Sequence, residues 1–368
     1  MTDPVNPLVR RRIALLSTGG TIAMTATSAG AEIALSGADI GATVSDLTDI
    51  DLTVVEVFAK PSANIGLADM EYLAGIAGKL AGEGKVDGIV IAHGTDTIEE
   101  TAWGLDLMTQ SPIPIVVTGA MRTADAPGAD GLANLIAACQ TAASPSARGL
   151  GVLVVLAEEI HAASLVRKVR TFGPSAFSSE PMGPLGWVCE GRVRVMARLA
   201  APSPSLTLGA GRPVVPIIVV HAGFEPEALE LFETGGVDGL VLCLPGGGHA
   251  PAVLALTLER LAARMPVIFC TRTRGFETLS ATYGYAGGEI DLIQRGLIAA
   301  GSLDALKARC ALALLLSQGV GLEAIRGFFE GFGGGGAAQP SRLSDPQARG
   351  RGPVGRAPAA GPGRRGRG

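Results

Sequence analysis

A chain of 368 residues with 47% hydrophobic and 17% charged residues is long enough for two packed domains or one large one. Its formal net charge of -4 is too balanced for a body that binds nucleic acid by charge, and its apolar runs are of strand length, which excludes a membrane-spanning helix. The five cysteines are odd in number and lack metal or redox spacing, so they read as buried thiols of a reducing compartment; MTDPVNPLVRRR carries no secretory signal, and the cytoplasm is the expected location.

The chain opens with a short apolar strand, Ile13 to Leu16, which breaks into STGGT, Ser17 to Thr21. Adjacent Gly19 and Gly20 permit a tight turn or a close backbone approach, with Thr18 and Thr21 supplying hydroxyls around it. No Gly-Lys-Ser/Thr follows and the dinucleotide spacing fails, so a nucleotide site has little support. Met24 to Gly41 reads as a loop, with a hairpin as one option. A strand over Leu52 to Phe58 ends in the polar KPSAN, Lys60 to Asn64, and a helix follows over Leu67 to Ala81.

The next stretch, DGIVIAHGTDTIEETAW from Asp87 to Trp103, is the densest. A buried strand ending at Ala92 runs into His93, Gly94, Thr95, Asp96 and Thr97, and a helix occupies Ile98 to Met108. In open α/β sheets the crevice beyond the carboxyl ends of the strands is where ligands bind, so this cluster reads as a site; the alternative is that Asp96 or Thr97 only caps the helix. A strand over Pro114 to Thr118, a helix over Leu132 to Ala142 and a strand over Gly151 to Ala157 continue the alternation, which predicts a parallel sheet covered on both faces.

Arg167, Lys168 and Arg170 form a charge cluster within Ile160 to Phe177, and Trp187 to Ala197 suits a hairpin. Ala201 to Arg212 reads as a linker. A second βα series has strands over Val214 to Val220, Gly239 to Leu242 and Val267 to Cys270, with helices over Pro226 to Glu233, Pro251 to Ala263, Leu303 to Ser317 and Leu322 to Glu330. The expected division is 1–200, a linker at 201–212, 213–330, and a tail at 331–368 too rich in Gly, Pro and Arg to form a core.

On residue chemistry alone, hydroxyls at Thr21 and Thr95, the carboxylate of Asp96 and a distant Lys168 favour acyl transfer or hydrolysis; a lysine serves as base only where burial or nearby cations lower its pKa. No G-x-S-x-G elbow is present.

TGGTI (Thr18 to Ile22) and HGTDT (His93 to Thr97), each after an apolar strand and in this order, resemble the two signatures of the bacterial-type L-asparaginases, the asparaginase/glutaminase amidohydrolases that use threonine. The resemblance continues through VVTGAMR, ADG, GVLVVL, Lys168 and GPLGWV to roughly Glu330. It implies a two-domain α/β fold, a larger N-terminal flavodoxin-like domain and a smaller C-terminal Rossmann-like one, with homodimers or homotetramers as the assembly. It implies L-asparagine as substrate, hydrolysed to L-aspartate and ammonia, with no metal or other cofactor, no membrane, and no nucleic acid for the folded core.

It further implies Thr21 as nucleophile, Thr95 as the second threonine, and Asp96 and Lys168 as its partners. Substrate contacts fall to Gly20, Ser62, Gly94, Thr95 and Asp96, with His93 supporting the loop. The chain departs from the periplasmic type in having no tyrosine between Thr21 and Lys60, Ala63 where a glutamine follows the serine, and His249 closing PGGGH. The glutamate that the periplasmic type donates across its dimer has no clear counterpart; Tyr283 and Tyr285 stand nearby, and Tyr283 is the candidate to orient or deprotonate the nucleophile. These departures and the missing signal favour the cytoplasmic branch. Hydrolysis of glutamine or another amide, ammonia donation within a tRNA-dependent amidotransferase, and a non-catalytic amide-binding protein remain as alternatives.

Overall fold

In strand β1 (Arg11–Ser17), Ile13 and Leu15 pack into one core and Ala14 and Leu16 into another, the period-two signature of a strand covered on both faces. The computed structural model describes residues 10–20, 24–27, 30–33, 36–42, 44, 50–273 and 275–334. Along the chain come β2 (Met24–Thr27) and β3 (Gly30–Ile33), an antiparallel pair, then α1 (Gly37–Ala42), β4 (Ile50–Glu56) and α2 (Leu67–Gly82). Next are β5 (Gly88–Ala92), α3 (Ile98–Met108), β6 (Ile115–Thr118), α4 (Gly131–Ala143), β7 (Val152–Leu156) and β8 (Glu159–Ala162). The short pair β9 (Arg167–Lys168) and β10 (Phe177–Ser178) precedes the hairpin β11 (Gly186–Cys189) and β12 (Arg192–Val195).

The large sheet has the order β12-β11-β8-β7-β6-β5-β1-β4. Its members from β4 to β7 are parallel, and β8, β11 and β12 extend it antiparallel. Leu135, Ala138 and Ala142 of α4 cover one face; Leu73 and Ala77 of α2, with Ile98, Ala102 and Leu105 of α3, cover the other. Residues Ile13, Leu15, Ile89, Ile91, Ile98 and Leu105 are fully buried. Each contributes about 1.5–3 kcal/mol by leaving water, so the floor beneath the loops is rigid.

The second sheet, order β13-β14-β15-β16, is parallel throughout: β13 (Ile217–Val219), β14 (Leu240–Leu244), β15 (Val267–Thr271) and β16 (Ile298–Ala299). Helices α5 (Glu227–Glu230), α6 (Ala255–Ala262) and α7 (Glu289–Gln294) alternate with these strands, and α8 (Ala305–Ser317) and α9 (Leu322–Glu330) follow. Helix α8 packs against β14 and β15 and also against α3, where Trp103 Nε1 donates to the Lys307 carbonyl at 3.0 Å.

Several expectations shift. The strand expected from Val214 starts only at Ile217, because Pro213 and Pro216 have no N–H for the ladder. The helix expected over Pro226 to Glu233 is a single turn. Strands β8, β9 and β16, two to four residues each, were not expected. The packed chain also runs past Glu330: the Phe332 ring meets Trp103 edge-on at 5.8 Å, so residues 331–334 belong to the body rather than the tail. The remainder of the expected tail, 335–368, lies outside the described residues. No helix among the described residues is long and apolar enough to cross a membrane.

Candidate active site

Strand β1 is flanked by β4 on one side and β5 on the other, so the chain reverses its direction of travel across the sheet there, and a crevice opens between the carboxyl ends of β1 and β5. The loops leaving those ends meet backbone to backbone. Thr18 donates both its N–H (3.1 Å) and its hydroxyl (2.9 Å) to the Ala92 carbonyl. Gly20 has φ +84°, a left-handed conformation, and a Cβ there would collide with the Gly94 backbone. A Cβ on Gly94 would in turn lie 2.8 Å from Ser62 Oγ. The loop after β4 is tied in by Lys60 N–H to the Thr18 carbonyl (3.0 Å) and by Thr97 Oγ1 to the Ser62 carbonyl (2.7 Å). Gly20, Ser62 and Gly94 therefore share one point, and Ser62 is buried there.

A single turn of 3-10 helix, Thr95–Thr97, carries the chain from β5 into α3. Thr95 is buried in it and Asp96 is exposed. Lys168 reaches both from β9: its Nζ donates to Thr95 Oγ1 at 2.9 Å and to Asp96 Oδ1 at 2.6 Å. Its side chain is only 15% exposed, which orders a normally mobile amine between a hydroxyl and a carboxylate. Such a trio can pass a proton from a hydroxyl to an amine while the carboxylate holds a cation. Asp96, Glu99 and Glu100 also favour the positive end of α3. Burial pushes the Glu99 carboxyl up, and the Lys307 ammonium and the main-chain N–H of Lys168 partly offset it.

The surrounding frame is polar and bonded. His93 is sealed from solvent, its Nδ1 2.7 Å from the Gly94 carbonyl, and burial depresses its pKa to about 4, so the ring is neutral at pH 7. Asp130 accepts from the N–H groups of Met121 (3.0 Å) and Arg122 (2.9 Å), and Asn134 Nδ2 donates to the Gly119 carbonyl at 3.0 Å. A Cβ on Gly119 would lie 3.2 Å from Thr95 Cγ2, so this loop closes over the threonine. Among the described residues no group of three or more His, Cys, Asp or Glu side chains could hold a metal ion.

Of the residues expected at the site, Gly20, Ser62 and Gly94 converge, as do Thr95, Asp96 and Lys168. Thr21 lies outside the described residues. Tyr283 belongs to a different cluster. Its ring meets His249 at 4.9 Å and Tyr285 at 5.8 Å, its N–H donates to Glu289 Oε1 at 2.7 Å, and none of its described contacts is to Thr95, Asp96 or Lys168. Glu289 is fully buried there and faces His249 Nε2 at 3.1 Å. The sequence reading missed Glu99, Asp304 and Lys307, whose charges gather beside Val166 and Arg167, the two residues before Lys168. The one signal was a lysine within the apolar run of α8, three residues after an aspartate.

The family model for the asparaginase N-terminal domain matches residues 12–201, and the model for the glutaminase/asparaginase C-terminal domain matches residues 214–329. The L-asparaginase of Bacillus licheniformis is 32% identical over 312 residues, 84% of this chain and 97% of that protein. The probable L-asparaginase of Deinococcus radiodurans is 36% identical over 328 residues, 86% of this chain and 97% of that protein. The crystal structure of the probable cytoplasmic L-asparaginase from Campylobacter jejuni superposes with a TM-score of 0.77 at 29% identity, covering 87% of this chain and 99% of that one.

Proposed function

The chain belongs to the bacterial-type asparaginase/glutaminase family and is an amidohydrolase with its two-domain α/β fold, and on that premise we propose that it hydrolyses L-asparagine to L-aspartate and ammonia through a threonine nucleophile. The observation that carries the reading is Lys168, held at once against the Thr95 hydroxyl and the Asp96 carboxylate at the mouth of β5.

Thr21 follows directly on Gly20, whose backbone abuts Gly94, and its hydroxyl is the attacking group. As the Oγ–carbon bond to the side-chain amide forms, the hydroxyl proton passes by way of Thr95 towards Lys168. The carbon–nitrogen bond then breaks as the nitrogen takes up that proton and leaves as ammonia. Water next attacks the acyl ester, the threonine oxygen recovers a proton, and L-aspartate departs. Asp96, the exposed member of the trio, binds the substrate ammonium; Ser62 and the amides near Gly20 and Gly94 receive its α-carboxylate. Donors aimed at the developing oxyanion are worth about 3 kcal/mol each.

The parallel strands from β4 to β7, with β4 and β1 exchanged relative to chain order, support a flavodoxin-like N-terminal domain at 1–200. The parallel β13–β16 sheet supports a Rossmann-like domain at 213–330, with 201–212 as linker. A homodimer or homotetramer and a cytoplasmic location accompany the reading, the latter on the likeness to the probable cytoplasmic L-asparaginase of Campylobacter jejuni.

The test is ammonia release by the purified chain from L-asparagine, D-asparagine, L-glutamine and small peptides. L-asparagine is expected to be turned over fastest, and Thr21→Ala to abolish the activity with the fold retained. Tight amide binding without turnover, or turnover only with tRNA and a partner protein, would replace the reading.

A further inference from the structure

No part of Lys307 reaches solvent, which is unusual for an ammonium. Its Nζ donates to the Val166 carbonyl at 2.7 Å and to Asp304 Oδ2 at 3.0 Å, and lies 3.9 Å from Glu99 Oε2. Asp304 also pairs with Arg167 at 2.9 Å, and the Lys168 main-chain N–H draws the Glu99 carboxyl down. One buried cluster therefore meets three successive residues: it holds the carbonyl of Val166 through Lys307 and the side chain of Arg167 through Asp304, and the Glu99 carboxyl feels the amide of Lys168. Glu99 also lies four residues beyond Thr95, at the start of the helix into which that threonine leads. Both partners of the Lys168–Thr95 hydrogen bond are thus anchored to the same charges.

A buried ion group is a poor source of stability, since apolar residues of similar volume often do as well or better. Its value here lies in position. Resting on the Thr95–Lys168 reading above, we propose that Lys307 is a positioning residue for the reaction, locking the Glu99–Asp304–Arg167 cluster so that the Lys168 amine meets the Thr95 hydroxyl. The charges around Lys168 come from every neighbouring element: Asp96 from the turn after β5, Glu99 and Glu100 from α3, Arg167 from its own strand, Asp304, Lys307 and Arg309 at α8. Cys243 and Arg272, from the second sheet and the loop after it, line a cavity of about 240 Å³ together with Glu99, Arg167, Lys168 and Asp304.

The test uses the full chain with Lys307→Met, Lys307→Arg and Glu99→Gln. It reads kcat and KM for L-asparagine, the pH profile of kcat/KM, the thermal transition, and the rate at which acetic anhydride labels Lys168, mapped by mass spectrometry. Lys307→Met is expected to keep a cooperative transition and a KM within about twofold while kcat falls about 100-fold, the loss that ångström-scale misplacement causes. Lys307→Arg, which keeps the cation, recovers part of that loss. Removing a cation favours protonation of a neighbouring amine and removing an anion disfavours it, so the ionisation limb moves to higher pH in Lys307→Met and to lower pH in Glu99→Gln. A merely structural lysine would lower the thermal transition while leaving kcat and the Lys168 labelling rate unchanged.

A folded Lys307→Met with kcat within about threefold of wild type and an unmoved profile overturns the proposal. If that variant does not fold, Glu99→Gln decides in the same way. If the unaltered protein releases no ammonia, the functional reading fails separately: a changed Lys168 labelling rate in Lys307→Met still supports the clamp, and an unchanged rate overturns it.

Discussion

The carboxyl ends of the parallel strands in the two sheets present different chemistry on similar scaffolds. Beyond β1 and β5, loop backbones touch through Gly20 and Gly94, and a part-buried amine is wedged between a hydroxyl and a carboxylate. Beyond β14 and β15, the rings of His249, Tyr283 and Tyr285 meet edge-on or tilted beside a fully buried Glu289, and both tyrosines are about half exposed. Parallel strands supply a crevice in each case. Among the described residues of the two clusters, the first alone shows a hydroxyl hydrogen-bonded to an amine, so the strands determine where chemistry can occur and the loop residues determine whether it does.

The sharpest way to break the comparison is Thr95→Ala. It removes the hydroxyl that receives Lys168, and kcat/KM for L-asparagine is expected to fall by about three orders of magnitude. A variant within tenfold of wild type would reduce the first cluster to the status of the second. Gly94→Ala comes next. Its backbone angles suit alanine, but the new Cβ would stand 2.8 Å from Ser62 Cβ and Oγ, so the cost reports the close approach alone. Steady-state kinetics should lose about 100-fold, with KM rising as Ser62 is displaced.

A smaller effect concerns the frame. Folded His93 has a pKa of about 4 against an ordinary 6.5, so between those values the unfolded chain binds a proton that the folded chain does not. The stability it contributes is present above that window and is lost as pH falls through it. The stability gap between wild type and His93→Gln should therefore narrow as pH is lowered from 6.5 to 4; a constant gap in denaturant titrations would place the ring's charge elsewhere. The smallest effect is expected of Tyr283→Phe, with kcat within about threefold of wild type. A loss as large as that of Thr95→Ala would draw the second cluster into the chemistry.

Legibility in the sequence follows the distance between interacting residues. Strands β1, β5 and β7 are continuous apolar runs, and Thr95 and Asp96 stand directly after β5, so local pattern sufficed. The glycines of TGGT were legible as a tight turn or close-approach positions, though the contact of Gly20 with Gly94 was not. Lys168 pairs with Thr95 across 73 residues, and nothing periodic in a two-residue strand announces it; the family resemblance pointed to it. Lys307 left one faint trace, a lysine in the apolar run of α8, because a lysine ordinarily faces water and it takes the packing of α8 on α3 to bury this one. Tyr283 was drawn towards the nucleophile by its place in the sequence, whereas its packing is with His249 and Tyr285.

The most direct measurement is ammonia release from L-asparagine by Lys168→Met, with circular dichroism and melting recorded on the same sample. The expected result is an intact fold with turnover reduced about 1,000-fold or more, because the Thr95 hydroxyl has lost its proton acceptor. A folded Lys168→Met protein that hydrolyses asparagine within tenfold of the wild-type rate would contradict the proposed site.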